Sequence, residues 1–293
     1  MSDGADDADT RADAEAFSLL GDPTRLEIVT ALHAAADTPV EFSELYDRVD
    51  VDDTGRFNYH RDELVPHFVR QTDAGYELTA AGERVARAVA AGTYTEHPTV
   101  EPRPVAGDCR ECGAAALVAG YRDERFRIEC RDCETLLLGV QVPPSVVRGR
   151  DPADLPTAVD RWARAQVDQA CRGLCPDCGG PVEPSVAEDL HESIAFDVAA
   201  AFDCPVCGRR TMTSFGGVAA RDERVRAFHR ERDAALTDRP YWEIPQFVGG
   251  EGVDAVSRGP WRVTVTFRAA GDRCRATVDG SLTVTDVTVD ADD

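Results

Sequence analysis

Residues 109–133 read CRECGAAALVAGYRDERFRIECRDC, and this stretch decides the fold of the middle of the chain. It begins and ends with a Cys-x2-Cys pair, and 17 residues separate the two pairs. Residues 175–207 repeat this arrangement with 25 residues between their pairs. Two such pairs bring four thiolates to one tetrahedral site, the usual ligand set of structural Zn²⁺. The candidate metal ligands are Cys109, Cys112, Cys130, Cys133, Cys175, Cys178, Cys204 and Cys207.

The residues around these pairs predict two zinc ribbons. Glycine follows three of the four pairs, and strand-like runs such as 116–121 lie between the pairs of the first set. We therefore expect two structural zinc ions per chain, each closed by four thiolates. Buried free cysteines, a redox dithiol and an iron–sulfur cluster are less favoured alternatives. Cys171 and Cys274 remain outside both sets; Cys171 is either an alternative ligand or, as we favour, a buried helix residue.

The composition is strongly acidic and contains no Lys. The 293 residues carry 54 acidic side chains against 32 basic ones, all of them Arg, and the net charge is −22. The composition resembles that of salt-in halophilic archaea, whose cytoplasm holds molar salt. A Debye length of about 3 Å under such conditions screens self-repulsion, so the acidity does not exclude a nucleic-acid partner.

The sequence contains no recognisable export or membrane signal. Its first ten residues are acidic, and the apolar stretch 135–142 is far shorter than the roughly 20 residues that span a bilayer. We therefore expect a cytoplasmic protein with no membrane contact and with reduced thiols. Ten cysteines in that compartment favour metal binding over disulfides.

The first third of the chain predicts the order helix, helix, helix, hairpin, helix. An Asp before a Pro, at positions 22 and 23, predicts an N-cap and a first helical turn. This order is typical of a winged helix-turn-helix. The predicted elements are helices from Pro23 to about Ala36, near Ser43 (a candidate cap) to Val49, and from Thr54 to about Pro66, a hairpin over 68–78, and a helix capped by Thr79 that runs through Ala91.

The third of these helices is the candidate DNA-reading element. In a winged helix it enters the major groove, where Arg and Asn side chains read guanine and adenine. Phe57 and Leu64 are assigned to the core, which turns other positions outward. The alternative is a winged helix used only for protein contacts. The candidate DNA-binding residues are Thr54, Arg56, Asn58, Tyr59 and Arg61 on the helix, with Arg70 and Gln71 on the hairpin.

Two motifs resemble those of ArsR-type winged-helix transcriptional regulators, in the form common among haloarchaeal members. Residues 14–29 (AEAFSLLGDPTRLEIV) resemble the opening of these proteins, and residues 55–60 (GRFNYH) resemble their recognition helix. The resemblance covers about residues 12–92 and implies a homodimer that binds double-stranded DNA and pairs through the first and last helices of the domain. Metal sensing is not implied, because this region contains no Cys. Position 61, commonly Leu in the family, is Arg here.

The remaining two-thirds resembles the zinc-ribbon regions attached to such haloarchaeal domains, for which no established activity is implied. The fold class is therefore expected to be α+β, with a winged helix-turn-helix, two zinc ribbons with connecting helices, and a C-terminal antiparallel β segment. The predicted divisions are an acidic disordered tail (1–13), the winged helix-turn-helix (14–96), a linker (97–107), the first zinc ribbon (108–150), a connecting helix (151–173), the second zinc ribbon (174–220), and a helix plus antiparallel strands (221–293).

Within these divisions the sequence predicts helices over about 157–172 and 222–236. Three alternating segments, 261–267, 274–278 and 281–287, predict antiparallel strands. Two glycine-containing segments, 215–218 and 247–253, are interpreted as loops. The aromatic-rich segment 239–245 is either a core anchor, as we favour, or the lining of a pocket.

We expect a DNA-binding transcription regulator whose zinc-ribbon module serves dimerisation, or contact with a small-molecule ligand or a protein partner. The alternative is a zinc-ribbon adaptor that uses the winged helix for protein contacts in transcription or RNA processing. An enzyme is not expected, because the six histidines show no catalytic grouping and no nucleophile or phosphate-binding motif is present.

Overall fold

The structure, a computed structural model, describes residues 12–188, 190, 198–248 and 250–291. The chain divides into two compact units between Glu96 and His97. Each unit combines helices with antiparallel strands, so the expected α+β class is confirmed at that level. Most of the predicted acidic tail lies outside the described residues, and residues 12–19 are helical (α1), so the last two residues of the predicted tail are helical.

The first unit continues with four helices and one hairpin. The elements are α2 (Pro23–Ala34), α3 (Phe42–Asp47), α4 (Thr54–Leu64), β1 (Val69–Thr72), β2 (Gly75–Leu78) and α5 (Ala80–Ala90). Three helices, α2, α3 and α4, end about two residues earlier than predicted, and for α4 the reason is Pro66, which disfavours helical geometry at Val65.

Side-chain caps set three of the helix starts. The Asp22 carboxylate accepts hydrogen bonds from the backbone N–H groups of Thr24 and Arg25, as the sequence predicted. Asp53 caps α4 and Thr79 caps α5 in the same way. The prediction of Ser43 as a cap was wrong, because α3 already begins at Phe42 and has no side-chain cap.

One residue outside the hairpin, Val40, pairs with β2 in the manner of a short third strand. Val40 and Tyr76 exchange two backbone hydrogen bonds of 2.8 Å, which ties the α2–α3 connection to β2. Gly75 has a φ of 142°, and a Cβ there would lie 2.2 Å from the Val40 carbonyl oxygen. Only glycine therefore permits this approach. The helices and the hairpin share one core, whose buried members include Ile28, Val29, Leu32, Leu45, Phe57, Leu64 and Val69.

The second unit uses one topology twice. Each time, a Cys-x2-Cys loop is followed by two antiparallel strands, a second such loop, a third strand, a short helix and a longer helix. The first repeat contains β4 (Leu117–Arg122), β5 (Arg125–Cys130), β6 (Leu136–Gln141), α6 (Pro144–Val147) and α7 (Leu155–Cys171). The second contains β7 (Glu183–Ala187), β8 (Ala199–Asp203), β9 (Arg210–Thr213), α8 (Phe215–Ala219) and α9 (Glu223–Arg230).

The prediction of a linker over residues 97–107 was partly wrong, because this segment contains the strand β3 (Val100–Pro104). This strand pairs with β4 and extends the first sheet to the order β3-β4-β5-β6. Its prolines indicated a connector, but an edge strand tolerates Pro wherever the missing N–H would face away from its neighbour. The first sheet of this unit therefore begins before residue 108, the predicted start of the first ribbon.

The predicted loop at 215–218 was also wrong, because these residues form α8. The Ser214 hydroxyl accepts a hydrogen bond from the Gly217 N–H, and every residue of α8 is buried. A Cβ on Gly216 would lie 2.1 Å from the Gln246 carbonyl oxygen. The two glycines thus serve close packing rather than a flexible loop.

The helix predicted over about 222–236, α9, ends earlier than expected, at Arg230. Three residues later Asp233 takes a left-handed φ of 49°, which is incompatible with continued helix. Two short 3₁₀ turns, Leu236–Asp238 and Tyr241–Glu243, then lead into α10 (Pro245–Val248).

A four-stranded antiparallel sheet ends the chain. Its strands β10 (Val253–Arg258), β11 (Trp261–Ala269), β12 (Asp272–Asp279) and β13 (Val284–Ala291) pair in sequence order. The three predicted strands are present, whereas β10 was missed because most of its residues are exposed and lack apolar alternation. One hydrophobic core is shared by elements of all three sheets of this unit. In the described part of the chain, no helix combines the length and apolarity that a membrane span requires.

Candidate functional site

The first group of four cysteines closes around one point. The Sγ atoms of Cys109 and Cys133 lie 3.5 Å apart, and those of Cys112 and Cys130 lie 3.7 Å apart. A disulfide requires about 2.05 Å, so these are open thiols. A zinc ion with four Zn–S bonds of about 2.3 Å gives sulfur–sulfur edges of about 3.8 Å. The sulfurs therefore already stand close to the spacing of a tetrahedral metal site.

The second group has the same geometry. The Sγ atoms of Cys175 and Cys207 lie 3.5 Å apart, as do those of Cys178 and Cys204. The Gly180 backbone N–H donates a 3.3 Å hydrogen bond to the Cys178 sulfur. In each group all four sulfurs lie within 4.8 Å of one another. The structure thus brings all eight predicted ligands into the two predicted sets, and each set can hold one metal ion.

The same backbone turn presents all four pairs. In each turn the first cysteine of the pair accepts a hydrogen bond from the N–H four residues later and donates one to the carbonyl five residues later. The residue four positions on takes a left-handed φ. It is Gly113 (74°), Gly179 (75°) or Gly208 (74°) in three turns, and Glu134 (59°) in the fourth.

One sulfur in each group has a lowered pKa, Cys133 in the first group and Cys175, to about 7, in the second. Hydrogen bonds from Thr135, first from its hydroxyl and then from its backbone N–H, lower the pKa of the Cys133 thiol to about 6. The hydroxyl oxygen lies 3.4 Å from the sulfur. A bound metal cation favours the thiolate form of all of its ligands. Within the first group the Cys133 thiol loses its proton most readily.

The two remaining cysteines lie outside both groups. Cys171 ends α7, and Cys274 is fully buried in β12. Burial raises the pKa of both thiols, to about 11 for Cys274. The structure does not bring Cys171 into the four-sulfur set of Cys175, and it is a helix residue as favoured, but half-buried rather than buried.

The candidate DNA-reading helix α4 presents only some of its predicted residues to solvent. Phe57, His60 and Leu64 face the core. The opposite side exposes the predicted positions Thr54, Arg56 and Tyr59, and the tyrosine side chain is 56% exposed.

Two predicted positions of α4 are turned inward. Asn58 is half-buried, and its Oδ1 is buried without a hydrogen-bond partner in the described part of the chain. The Arg61 side chain is only 12% exposed and pairs with Asp62 at 2.6 Å. Its guanidinium lies over the rings of Phe42 and Tyr76, at 5.6 and 5.0 Å from their centroids. Arg61 therefore connects α4 to α3 and the hairpin. The one sign of this role in the sequence was that position 61 is Arg where the ArsR-type proteins commonly have Leu.

The hairpin and the start of α2 complete this surface. Arg70 pairs across the hairpin with Glu77 at 2.7 Å, and Gln71 is exposed. His60 is buried and accepts a hydrogen bond from the Arg25 Nε, at 3.4 Å. His60 is therefore a packing residue.

The aromatic-rich segment 239–245 fulfils both of its possible roles. Trp242 is buried, and its indole N–H donates a 3.0 Å hydrogen bond to the Ala106 carbonyl, as expected of a core anchor. Tyr241 lines a cavity of about 150 Å³ together with residues of α7 and α9. Sequence reasoning missed the other lining residues, because they are distant in sequence and form no motif.

Two protein-family models match the chain. The model described as Domain of unknown function (DUF7351) matches residues 106–284, and the model described as Domain of unknown function (DUF7347) matches residues 13–89. No curated protein and no solved structure matches the chain. Since the first model covers more than half of the 293 residues, the chain belongs to the family described as domain of unknown function DUF7351.

Proposed function

We propose that this protein is a DNA-binding transcription regulator whose first unit is a winged helix-turn-helix of the kind that it resembles, the ArsR type. The observation that carries this proposal is the division of α4 into two faces. Phe57, His60 and Leu64 anchor one face in the core, while Arg56 and Tyr59 stand exposed on the other. A helix fixed in this way can enter a major groove without breaking any contact within its own domain.

The hairpin supports the same interpretation. It follows α4 directly, and Val40 pairs with Tyr76 of β2 at the edge of the hairpin. A hairpin beside a reading helix is the wing that contacts the DNA backbone. Gln71 is exposed there, whereas Arg70 must exchange its Glu77 partner for a phosphate.

The charge of the first unit determines the conditions under which it can bind DNA. Residues 1–98 carry 8 Arg against 21 Asp and Glu, so this region repels DNA in dilute buffer. At molar salt the repulsion is screened beyond about 3 Å, and release of counterions contributes little. Affinity then depends on short-range groove contacts. Arg56 suits this role, because no carboxylate pairs with its side chain in the part of the chain that the structure describes.

Zinc is the metal that we propose for both four-sulfur groups. Thiolates select Zn²⁺ among the common cellular divalent ions, and four of them leave no open position for substrate. The role is therefore structural. The ribbons position the strands and helices of the second unit, and we propose no enzymatic activity.

A homodimer is the proposed working form. Phe17 on α1 is 70% exposed, an unusual position for a large aromatic side chain in an aromatic-poor protein. On α5 only Gly82 and Ala86 are buried, and Val85 and Val89 are half-buried. The first and last helices thus leave apolar surface that a second copy can cover, in line with the pairing that the ArsR resemblance implies.

A genome-wide chromatin pull-down at native salt tests the DNA proposal, followed by fluorescence anisotropy on the recovered sequences. We expect discrete promoter peaks, and affinity that is flat or rises as KCl approaches molar concentration. Arg56→Ala should lower the discrimination between the recovered sites and unrelated DNA, whereas Arg84→Ala, an exposed change on α5, should not. Absence of peaks, or equal binding of all sequences by the unaltered protein, contradicts the proposal.

An adaptor function is the second candidate, and one surface feature favours it. Three large apolar side chains are exposed in the predicted second ribbon, Leu174, Val206 and Met212. Exposed apolar side chains beside a rigid ribbon suit a protein partner. In the same pull-down, recovery of RNA polymerase or RNA without promoter peaks, lost on Val206→Asp, favours this function.

A further inference from the structure

The cavity of about 150 Å³ in the second unit combines basic and aromatic groups. Arg164 comes from α7, Arg226 and His229 come from α9, and two rings, Tyr241 and Phe247, come from the segment after α9. This concentration of arginines is unusual in a chain with a net charge of −22. It points to an anion, provided that the guanidinium groups are not already neutralised.

Three of the arginines that line the cavity already have carboxylate partners. These pairs are Arg164 with Asp160 at 2.7 Å, Arg221 with Asp168 at 2.6 Å, and Arg230 with Glu223 at 2.5 Å. Arg226 differs, because its Nε donates only to the Ala220 carbonyl, at 3.3 Å. Among the described residues no carboxylate pairs with Arg226, so the cavity contains one uncompensated positive charge.

His229 is the second unsatisfied group. Its side chain lines the cavity and is 3% exposed, and neither ring nitrogen makes a hydrogen bond of good geometry in the described part of the chain; the backbone of Ala234 faces the ring and partly opposes the lowering of its pKa. Its ring stands edge-on against Phe228 and Phe267, which fixes its orientation. Burial lowers the pKa of His229 to about 4, so at neutral pH one nitrogen donates and the other accepts. Buried polar atoms of this kind are normally paired, and a ligand can supply the missing partner.

We propose that this cavity binds a small monocarboxylate with an apolar ring or short apolar chain. The carboxylate pairs with Arg226, in the bidentate geometry that guanidinium groups favour, and accepts a hydrogen bond from His229. The apolar body lies against Tyr241 and Phe247. A cavity of this volume holds a body about the size of benzene. One free guanidinium matches one negative charge, so a dianion such as phosphate fits less well.

The site does not depend on the proposed DNA function, and binding by the full-length protein tests it directly. Isothermal titration in molar KCl compares benzoate with benzamide, which has the same shape and no charge. We expect saturable binding of benzoate and at least about tenfold weaker binding of benzamide, as for loss of a charge-assisted pair. In ¹³C-labelled protein the His229 ring signals, identified by their loss in His229→Phe, should shift as benzoate is added.

Matched variants identify the residues responsible. Arg226→Gln should weaken benzoate binding about tenfold and remove the preference over benzamide. Arg224→Gln changes an arginine of the same helix that bonds to Asp222 and does not line the cavity, so it should leave benzoate binding unchanged. The proposal is overturned if the folded wild-type protein shows no saturable binding, if benzamide binds as well as benzoate, or if the two arginine variants behave alike.

Discussion

Glu134 occupies in its turn the position that Gly113 occupies in the other turn of the same four-sulfur group. Their φ angles are 59° and 74°, and both N–H groups donate to the carbonyl of the first cysteine of their pair, at 2.9 and 2.8 Å. A left-handed conformation is unstrained for glycine and costs a residue with a Cβ about 1–2 kcal/mol. Among the four cysteine turns, the one at Glu134 therefore places a residue with a Cβ at the left-handed position, whereas the other three have glycine there.

Glu134→Gly should stabilise the second unit by up to about 1 kcal/mol, because it removes this strain while the extra freedom of glycine in the unfolded chain offsets part of the gain. Thermal unfolding in molar KCl at constant zinc measures the change. Glu111→Gly is the matched control, an exposed glutamate in the same ribbon whose φ is not left-handed, and it should not stabilise. An equal gain in both variants would point to charge removal instead of strain.

Cys130→Ser should remove one metal ion per chain and leave the other in place. The two groups share no ligand, and a serine hydroxyl is a much poorer zinc ligand than a thiolate. Elemental analysis should fall from about two zinc ions to about one, and the helicity of the first unit should persist. Cys274→Ser, a buried change outside both groups, should retain both ions. A metal content near zero in folded wild-type protein contradicts the zinc assignment.

Arg56→Ala and Tyr59→Ala should each lower the discrimination between specific and unrelated DNA by about 1–3 kcal/mol, the contribution of one good base contact. Arg70→Ala on the hairpin should instead weaken all sequences about equally, because phosphate contacts carry no sequence information. Competition anisotropy at high KCl separates the two outcomes. If both helix variants discriminate as the unaltered protein does, α4 is not a reading helix.

Arg61→Ala should destabilise the first unit by about 1–2 kcal/mol, because the guanidinium lies over two rings and each such contact contributes about 0.5–1 kcal/mol. Sequence discrimination by the folded fraction should persist, in contrast to Arg56→Ala. Chemical unfolding with anisotropy on the same samples measures both quantities. Loss of discrimination at unchanged stability would show that Arg61 contacts bases.

The stability of the second unit should depend on His229 in acid. Burial lowers its pKa to about 4 in the folded state, below the unfolded value of about 6.5, so the unfolded chain binds more protons between these pH values. Stability therefore falls as pH falls through this window, by up to about 3 kcal/mol. His229→Phe should flatten this part of the profile, whereas the exposed change His67→Phe should leave it unchanged. Parallel profiles for His229→Phe and wild type would contradict the assignment.

The sequence by itself determined the features that depend on local spacing. Two residues between cysteines force a tight turn, so the spacing of the pairs 109/112 and 130/133 was enough to predict their four-sulfur group. An Asp before Pro23 was enough to place the start of α2, because a cap uses only backbone groups of the next turn. Alternation likewise placed β11 and β12, since one face of each is buried.

Only the tertiary structure decided the features that depend on partners distant in sequence. Arg61 looked like a DNA contact on a helical wheel, but the rings of Phe42 and Tyr76, from other elements, hold it inside the domain. Arg226 and His229 form no sequence motif. They can be recognised as a possible ligand site only in the folded protein, where α7, α9 and the aromatic segment enclose a cavity. The physical reason is the same in each case. Spacing along the chain fixes the local backbone, whereas burial and charge pairing are set by neighbours that no local pattern specifies.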